Sequence, residues 1–280
     1  MTKPRTVIIT GANAGIGLET AHALARQGDR VIMTARDPKR GADALTQVRQ
    51  KSGNQSVELM ILDLARFASI SQFAREFSDN NDELDVLINN AGLVLSKREE
   101  TAEGFEMTFG VNHLGHFLLT QKLGNVLTGT KDSRVVVVSS HAHKFAKNGL
   151  DFDDLQAEKS YSAFKVYGKS KLANIYFARE LARRWPGVKV NSLHPGFVRS
   201  RFGLDGDNSR IMEIAMYPIR PFAISPAKGA RTSIYLASES DIGTGDYYFR
   251  GHTSTPSVAA RNDEAARRLW AISEELTARG

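Results

Sequence analysis

Short apolar runs alternate along this chain with stretches whose apolar positions recur at helical spacing. The runs fall at residues 7–9, 30–35, 57–62, 84–88, 134–138, 188–193 and 246–249. Between them, helices are predicted from the turn after residue 10 through 26, at 37–51, 69–77 and 111–123, and over a long amphipathic stretch that starts near Tyr167 and runs through Leu181. Strand followed by helix, repeated, argues for βαβ units and a parallel sheet covered on both faces. In such a sheet ligands collect at the carboxyl ends of the strands, where the strand order reverses. Gly11, Asp63, Asn90, Ser140 and Pro195 each stand within a residue or two of a strand end.

The first of these ends has the form of a phosphate loop. Gly11-x-x-x-Gly15-x-Gly17 leads from a strand straight into a helix, with Asn13 and Ile16 inside it. Its glycines permit a tight turn, close approach of backbone to a pyrophosphate, and tight helix packing, while the N–H groups at the helix start attract the anion. At the end of the second strand, where an adenine ribose would lie, an acid would hydrogen-bond the 2′-hydroxyl. The chain has Arg36 there. A guanidinium suits a 2′-phosphate, so NADP(H) is expected in preference to NAD(H). Lys39 and Arg40 either assist or are solvated residues of the next helix, and Asp37 beside Arg36 points the other way.

Tyr167-Gly168-Lys169-Ser170-Lys171 opens the long amphipathic stretch. On a helix, residues four apart share a face, so the Tyr167 phenol and the Lys171 ammonium are expected in one cleft. A free tyrosine titrates near roughly 10, and a fixed cation beside it is expected to lower that value and fit the phenol for proton transfer at neutral pH. Tyr161 and Lys165 have the same spacing just upstream. The setting separates the two pairs: Ser170 precedes Lys171, Ala173 follows it, and helical periodicity continues from there.

Composition narrows the classes. A chain of 280 residues with 41% hydrophobic content and no repeat reads as one domain, 1–280. No apolar run reaches the length of a membrane span, and the first strand begins so near Met1 that no signal peptide is expected. Cysteine is absent, which excludes disulfides and thiolate chemistry. The net charge of +6 comes from basic residues interleaved with acids, so a solvated surface is expected and no nucleic-acid partner. No metal site is expected either. His141 and His143 follow the serine pair at 139–140, but no cysteine or acid stands at ligand spacing from them.

With Thr10-Gly11-Ala12-Asn13-Ala14-Gly15-Ile16-Gly17, Asp63-Leu64, Asn89-Asn90-Ala91-Gly92, Ser139-Ser140, Tyr167-x-x-x-Lys171 and Pro195-Gly196 in this order, the chain resembles the short-chain dehydrogenase/reductase family. The stretches Val111-Asn112-His113-Leu114-Gly115-His116-Phe117 and Ser170-Lys171-Leu172-Ala173-Asn174 resemble its retinol dehydrogenase and protochlorophyllide reductase branch. The resemblance implies a doubly wound Rossmann sheet of about seven strands in the order 3-2-1-4-5-6-7, and a reversible hydride transfer between a nicotinamide and a carbonyl or alcohol. Tyr167 is then the general acid or base, and Lys171 tunes it and holds the nicotinamide ribose. Ser140 donates to the substrate oxygen, and Asn112 helps hold a water that links the lysine to solvent. By the same resemblance Asp63 and Leu64 contact adenine, Asn90 with Ala91 and Gly92 the adjoining ribose, and the backbone after Pro195 and Gly196, through Val198, the carboxamide. Ser200 stands where many members have threonine. Ser140 and Tyr167 lie further apart than in the simplest members, with residues 144–160 forming the excess.

The stretch 197–226 corresponds to the family's substrate lid and holds Ile211, Met212, Ile214, Met216, Ile219, Phe222 and Ile224. Either these cover a lipophilic substrate or they belong to the core or to a dimer contact. The expected protein is cytoplasmic, without an integral membrane anchor. Its homodimer, if formed, would use the helix before Tyr167 and the helix that carries it. A non-catalytic NADP(H)-binding regulator on the same fold is the alternative. It would be free to lose Tyr167 or Lys171, and both are present.

Overall fold

The computed structural model describes residues 3–198 and 223–278. Its strands are β1 Thr6–Ile9, β2 Arg30–Ala35, β3 Val57–Ile61, β4 Val86–Asn89, β5 Arg134–Val138, β6 Lys189–Leu193, β7 Tyr247–Phe249 and β8 His252–Thr253. They form one sheet in the order β3-β2-β1-β4-β5-β6-β7-β8. The first seven run parallel, as the alternating pattern predicts. The added eighth pairs antiparallel with β7 across Arg250 and Gly251, whose φ angles of 54° and 80° make a two-residue hairpin turn. A two-residue strand leaves no periodicity to read.

Successive strand residues point to opposite faces, and the core divides accordingly. Val7, Ile9, Val31, Met33, Val86, Ile88, Val136 and Val138 pack on one side against α1 Gly15–Arg26, α2 Pro38–Ser52 and, from late in the chain, the helix Pro226–Ser238. Ile8, Ile32, Leu87, Val135, Val137 and Val190 face the other side. That side is covered by α3 Phe67–Asn80 and by a helical run that starts with α4 Met107–Phe109 and continues, after Gly110–Leu114, as α5 Gly115–Lys122. The short α6 Gly124–Gly129 follows, then α7 Ala163–Arg184; the Pro226–Ser238 helix is α8, and α9 is Asp263–Thr277.

The helix expected at 111–123 is interrupted. Gly110–Leu114 is a π-helical segment, wider than an α-helix by one residue per hydrogen-bonded ring. It is entered through Glu106, fully buried, whose carboxylate accepts the Thr108 and Phe109 amides at 2.8 and 2.6 Å. The helix α9 then closes over α5 and α7. The Trp270 indole meets Phe117 edge-on at 4.9 Å and stacks on Phe177 at 6.1 Å, while Arg184 lies 4.6 Å from its ring. These are the helices on which a homodimer contact was expected.

Candidate active site

β1 is flanked by β2 on one side and β4 on the other, so the chain reverses direction across the sheet at the β1–β4 crevice. The glycine loop lies there. Gly11 holds a φ of 65°, and a Cβ on Gly17 would come within 2.5 Å of the Gly11 carbonyl and 2.6 Å of the Asn90 amide nitrogen. No larger residue fits at Gly17. Asn90 braces the loop by donating its side-chain amide to the Thr10 carbonyl at 2.8 Å. α1 begins with Ala14 at its N-cap, no capping side chain and no acid in its first turn. Its leading N–H groups therefore have no side-chain acceptor, which fits the diphosphate of a nucleotide.

The neighbouring helix start is different. Asp37 caps α2, its carboxylate accepting the Arg40 amide at 3.0 Å, with Pro38 following at the first helical position. That local role accounts for an acid beside Arg36 without any ribose. Arg36 itself is exposed at the end of β2, with no side-chain hydrogen bond or ion pair among the described residues. Asp63 accepts the Ala65 amide at 3.0 Å, closing the turn after β3. Leu64 is buried in the core at 6% exposure, so of this pair only Asp63 retains surface.

Four further predicted residues converge at the ends of β5 and α7. Ser140 caps the turn His141–Phe145 by accepting the Ala142 amide at 3.1 Å, and its hydroxyl also hydrogen-bonds Tyr167. Ser139 is buried and donates to the Lys171 carbonyl at 2.7 Å, a bond internal to the scaffold. Lys171 is 2% exposed; its ammonium donates to the Val138 carbonyl at 3.1 Å and sits 5.7 Å from the Tyr167 ring centre. Asn112, in the π segment, accepts the Leu93 amide at 2.8 Å and donates to the Leu93 carbonyl at 2.9 Å and to Ser170 Oγ at 3.0 Å. Its side chain thus ties the strand β4 exit and α7 together, which leaves its main-chain carbonyl to face other partners.

The electrostatics correct one expectation. Tyr167 keeps part of its surface exposed, yet the surroundings of its hydroxyl are dense enough that burial pushes the phenol up to about 12, the Ser140 hydrogen bond acting the other way. Lys171 was expected to lower the phenol. Instead burial acts on the lysine too, pushing its ammonium down to about 8. Desolvation opposes each charged form and is the leading cause at both groups.

Residues 5–151 match the family described as short chain dehydrogenase. The chain belongs to this family. Within it, the chain is similar to retinol dehydrogenase 14 of Homo sapiens, 43% identical over 97% of this chain and 86% of the relative, and to human retinol dehydrogenase 11, 42% identical over 97% and 85%. These place it in the retinol dehydrogenase-like branch. Among solved structures it is similar to an uncharacterised protein from Mycobacterium paratuberculosis, with a TM-score of 0.78, 35% identity and coverage of 98% of this chain and 93% of that one. A short chain dehydrogenase from Shigella flexneri complexed with NADP shares the fold, with a TM-score of 0.68, 24% identity and coverage of 87% and 95%. A short-chain dehydrogenase is an oxidoreductase of CH–OH and C=O groups that works with a nicotinamide nucleotide.

In this short-chain dehydrogenase several residues around the site have contacts that the motifs do not assign. Asn174, one turn beyond Lys171, donates to the same Val138 carbonyl at 3.2 Å. His194 stacks on Phe249 at 4.0 Å and lies 5.6 Å from His141, walling the region after Ser140 with rings. His143 is fully buried, with Nδ1 at 2.7 Å from the Ser140 carbonyl and Nε2 accepting the Ser257 amide at 3.1 Å. It holds the serine turn in place. Beyond Pro195 and Gly196, Val198 bridges in parallel to Ile224, and its side chain and that of Ile16 lie against Gly229 of α8. Ser200 and, apart from Ile224, the apolar residues expected in the lid lie outside the described residues. Among the described residues no group of three His, Asp or Glu side chains is placed to hold a metal ion, and no helix is long and apolar enough to cross a membrane.

Proposed function

We propose that this protein is an NADP(H)-dependent reductase or dehydrogenase of lipophilic carbonyls and alcohols, with Tyr167 as its general acid or base. The observation that carries the reading is the meeting of Ser140, Tyr167 and a nearly fully buried Lys171 on the strand edge that also holds the glycine loop. Bound NADPH supplies the hydride. The chain's own groups do the rest. The Tyr167 hydroxyl passes its proton to the substrate oxygen in reduction and takes it back in oxidation. Ser140 donates a hydrogen bond to the same oxygen as charge develops there. Lys171, anchored on Val138, orients the nicotinamide ribose, and the Asn112 main chain holds the water through which the lysine meets solvent.

Arg36 supports the 2′-phosphate preference: its guanidinium is exposed and unengaged at the ribose end, while Asp37 is turned into its helix cap. Apolar chemistry in the substrate region is supported by Phe197 and Phe145, which stand 38% and 60% exposed beyond β6 and β5, and by the likeness to retinol dehydrogenases. A panel of aldehydes and ketones graded by size and polarity, followed by NADPH absorbance, tests the reading. Turnover is expected to rise with apolar size and to vanish in Tyr167→Phe; a wild-type protein that binds NADPH but reduces nothing in the panel, or a Tyr167→Phe variant of normal rate, overturns it.

A further inference from the structure

His116 lies inside α5, 1% exposed, and touches neither the loop glycines nor Tyr167 in any hydrogen bond. Its two ring nitrogens nevertheless connect the two halves of the site. Nδ1 is 3.1 Å from the Asn112 main-chain carbonyl, and Nε2 is 2.9 Å from the Thr10 hydroxyl. A carbonyl only accepts, so Nδ1 carries a proton. The Thr10 oxygen already accepts the Asn90 and Ala91 amides, at 2.8 and 2.9 Å, which takes both its lone pairs. It has nothing left with which to accept from His116 and can only donate. Nε2 is therefore an acceptor and the ring is neutral. The Ile88 carbonyl, 3.3 Å from the same hydroxyl, is the more distant of the two places its proton points.

The bonds run in one direction: Asn90 and Ala91 amides to Thr10, Thr10 to His116, His116 to the Asn112 carbonyl. One end is the turn that braces the glycine loop. The other is the carbonyl of the π segment that carries Asn112, whose side chain is already committed to Leu93 and Ser170. We propose that His116 is a positioning residue, fixed as the Nδ1–H tautomer, that sets the Asn112 carbonyl and the nucleotide-binding turn in register with one another. Only the kinetic part of this rests on the reading of Tyr167 and Lys171 as the reacting pair.

Two substitutions separate the ends. In His116→Asn the amide NH2 stands near the place of Nδ1 and still reaches Asn112, while Thr10 loses its acceptor. In His116→Gln the amide oxygen stands near the place of Nε2 and still serves Thr10, while Asn112 loses its donor. His116→Asn is expected to weaken NADPH binding, read by fluorescence titration, about three- to tenfold with kcat little changed; His116→Gln is expected to lower kcat by a similar factor with NADPH binding little changed. Thr10→Val, which also strands the Asn90 and Ala91 amides, should weaken NADPH binding more than His116→Asn does, and adding His116→Asn to it should cost nothing further, a coupling that a space-filling role would not produce. NMR of the wild-type protein with 15N-labelled histidine should show His116 neutral and protonated on Nδ1. An Nε2–H tautomer or an imidazolium there overturns the proposal, as does a parallel loss of binding, kcat and melting temperature in both variants. Should Tyr167→Phe retain turnover, the tautomer and the NADPH titrations still decide the matter for His116.

Discussion

Two Tyr-x-x-x-Lys pairs stand six positions apart, and the structure treats them differently. Tyr161 precedes the first residue of α7, and its hydroxyl donates to the Leu95 carbonyl at 3.0 Å. Lys165 is exposed on the first turn. Tyr167 and Lys171 lie within the helix, where the four-residue step places them on one face, the lysine buried against β5. Burial pushes both phenols to about 12, so a raised pKa does not distinguish them. Their partners do. Tyr167 has a serine hydroxyl and a desolvated ammonium beside it, whereas Tyr161 has the Leu95 carbonyl, the Thr108 hydroxyl and the Glu106 carboxylate. A spacing carries chemistry only where the helix that gives it meaning has formed, and where the sheet behind it takes one member out of water.

The sharpest way to break this comparison is to remove the phenols one at a time. Tyr167→Phe is expected to lower kcat by about a thousandfold or more while NADPH still binds, and Tyr161→Phe to stay within about twofold. Equal losses would mean that the two pairs share the chemistry. Replacing the cations comes next: Lys171→Met should cost about a hundredfold in kcat/KM, and Lys165→Met should leave steady-state kinetics unchanged. Moving to the nucleotide end, Arg36→Asp should lower the ratio of kcat/KM for NADPH over NADH by about ten- to a hundredfold. An unchanged ratio would place the 2′-phosphate on other groups.

The last effect is on stability, and it has the opposite sign to that on activity. The Lys171 ammonium is held down to about 8 in the fold, against 10.5 for the free side chain. Between those values the unfolded chain binds the proton more tightly, so stability rises with pH there and the full burial penalty is present below pH 8. Lys171→Met removes that penalty without stranding the Val138 carbonyl, which Asn174 still serves. Its urea midpoint should exceed that of wild type at pH 7, with the difference closing between pH 8 and 10.5. Lys165→Met should shift neither. A less stable Lys171→Met protein at pH 7 would show that the lysine is a net support of the fold.

Much of this was legible in the chain. Seven strands announced themselves as short apolar runs set between helical periods, and the glycine loop because only glycine tolerates its close contacts. That Tyr167 and not Tyr161 lies within the long helix was readable from the helical periodicity that follows it. Other features depended on residues far apart in sequence. The π segment at Gly110–Leu114 has helical periodicity on either side of it, and its extra residue is visible only in the hydrogen-bond register. The link from Asn90 through Thr10 and His116 to Asn112 joins three elements, and no local pattern marks a histidine that receives one proton and passes on another. The same holds for α9, whose Trp270 settles against Phe117 and Phe177, rings carried by two other helices. Sequence alone determined which elements form and which residues end them, since backbone sterics and hydrophobic period act over a few residues. The tertiary structure decided which of those residues lose water and whom they then face. Desolvation and hydrogen-bond pairing are properties of the packed whole, and on them rests the state of every titrating group at the site.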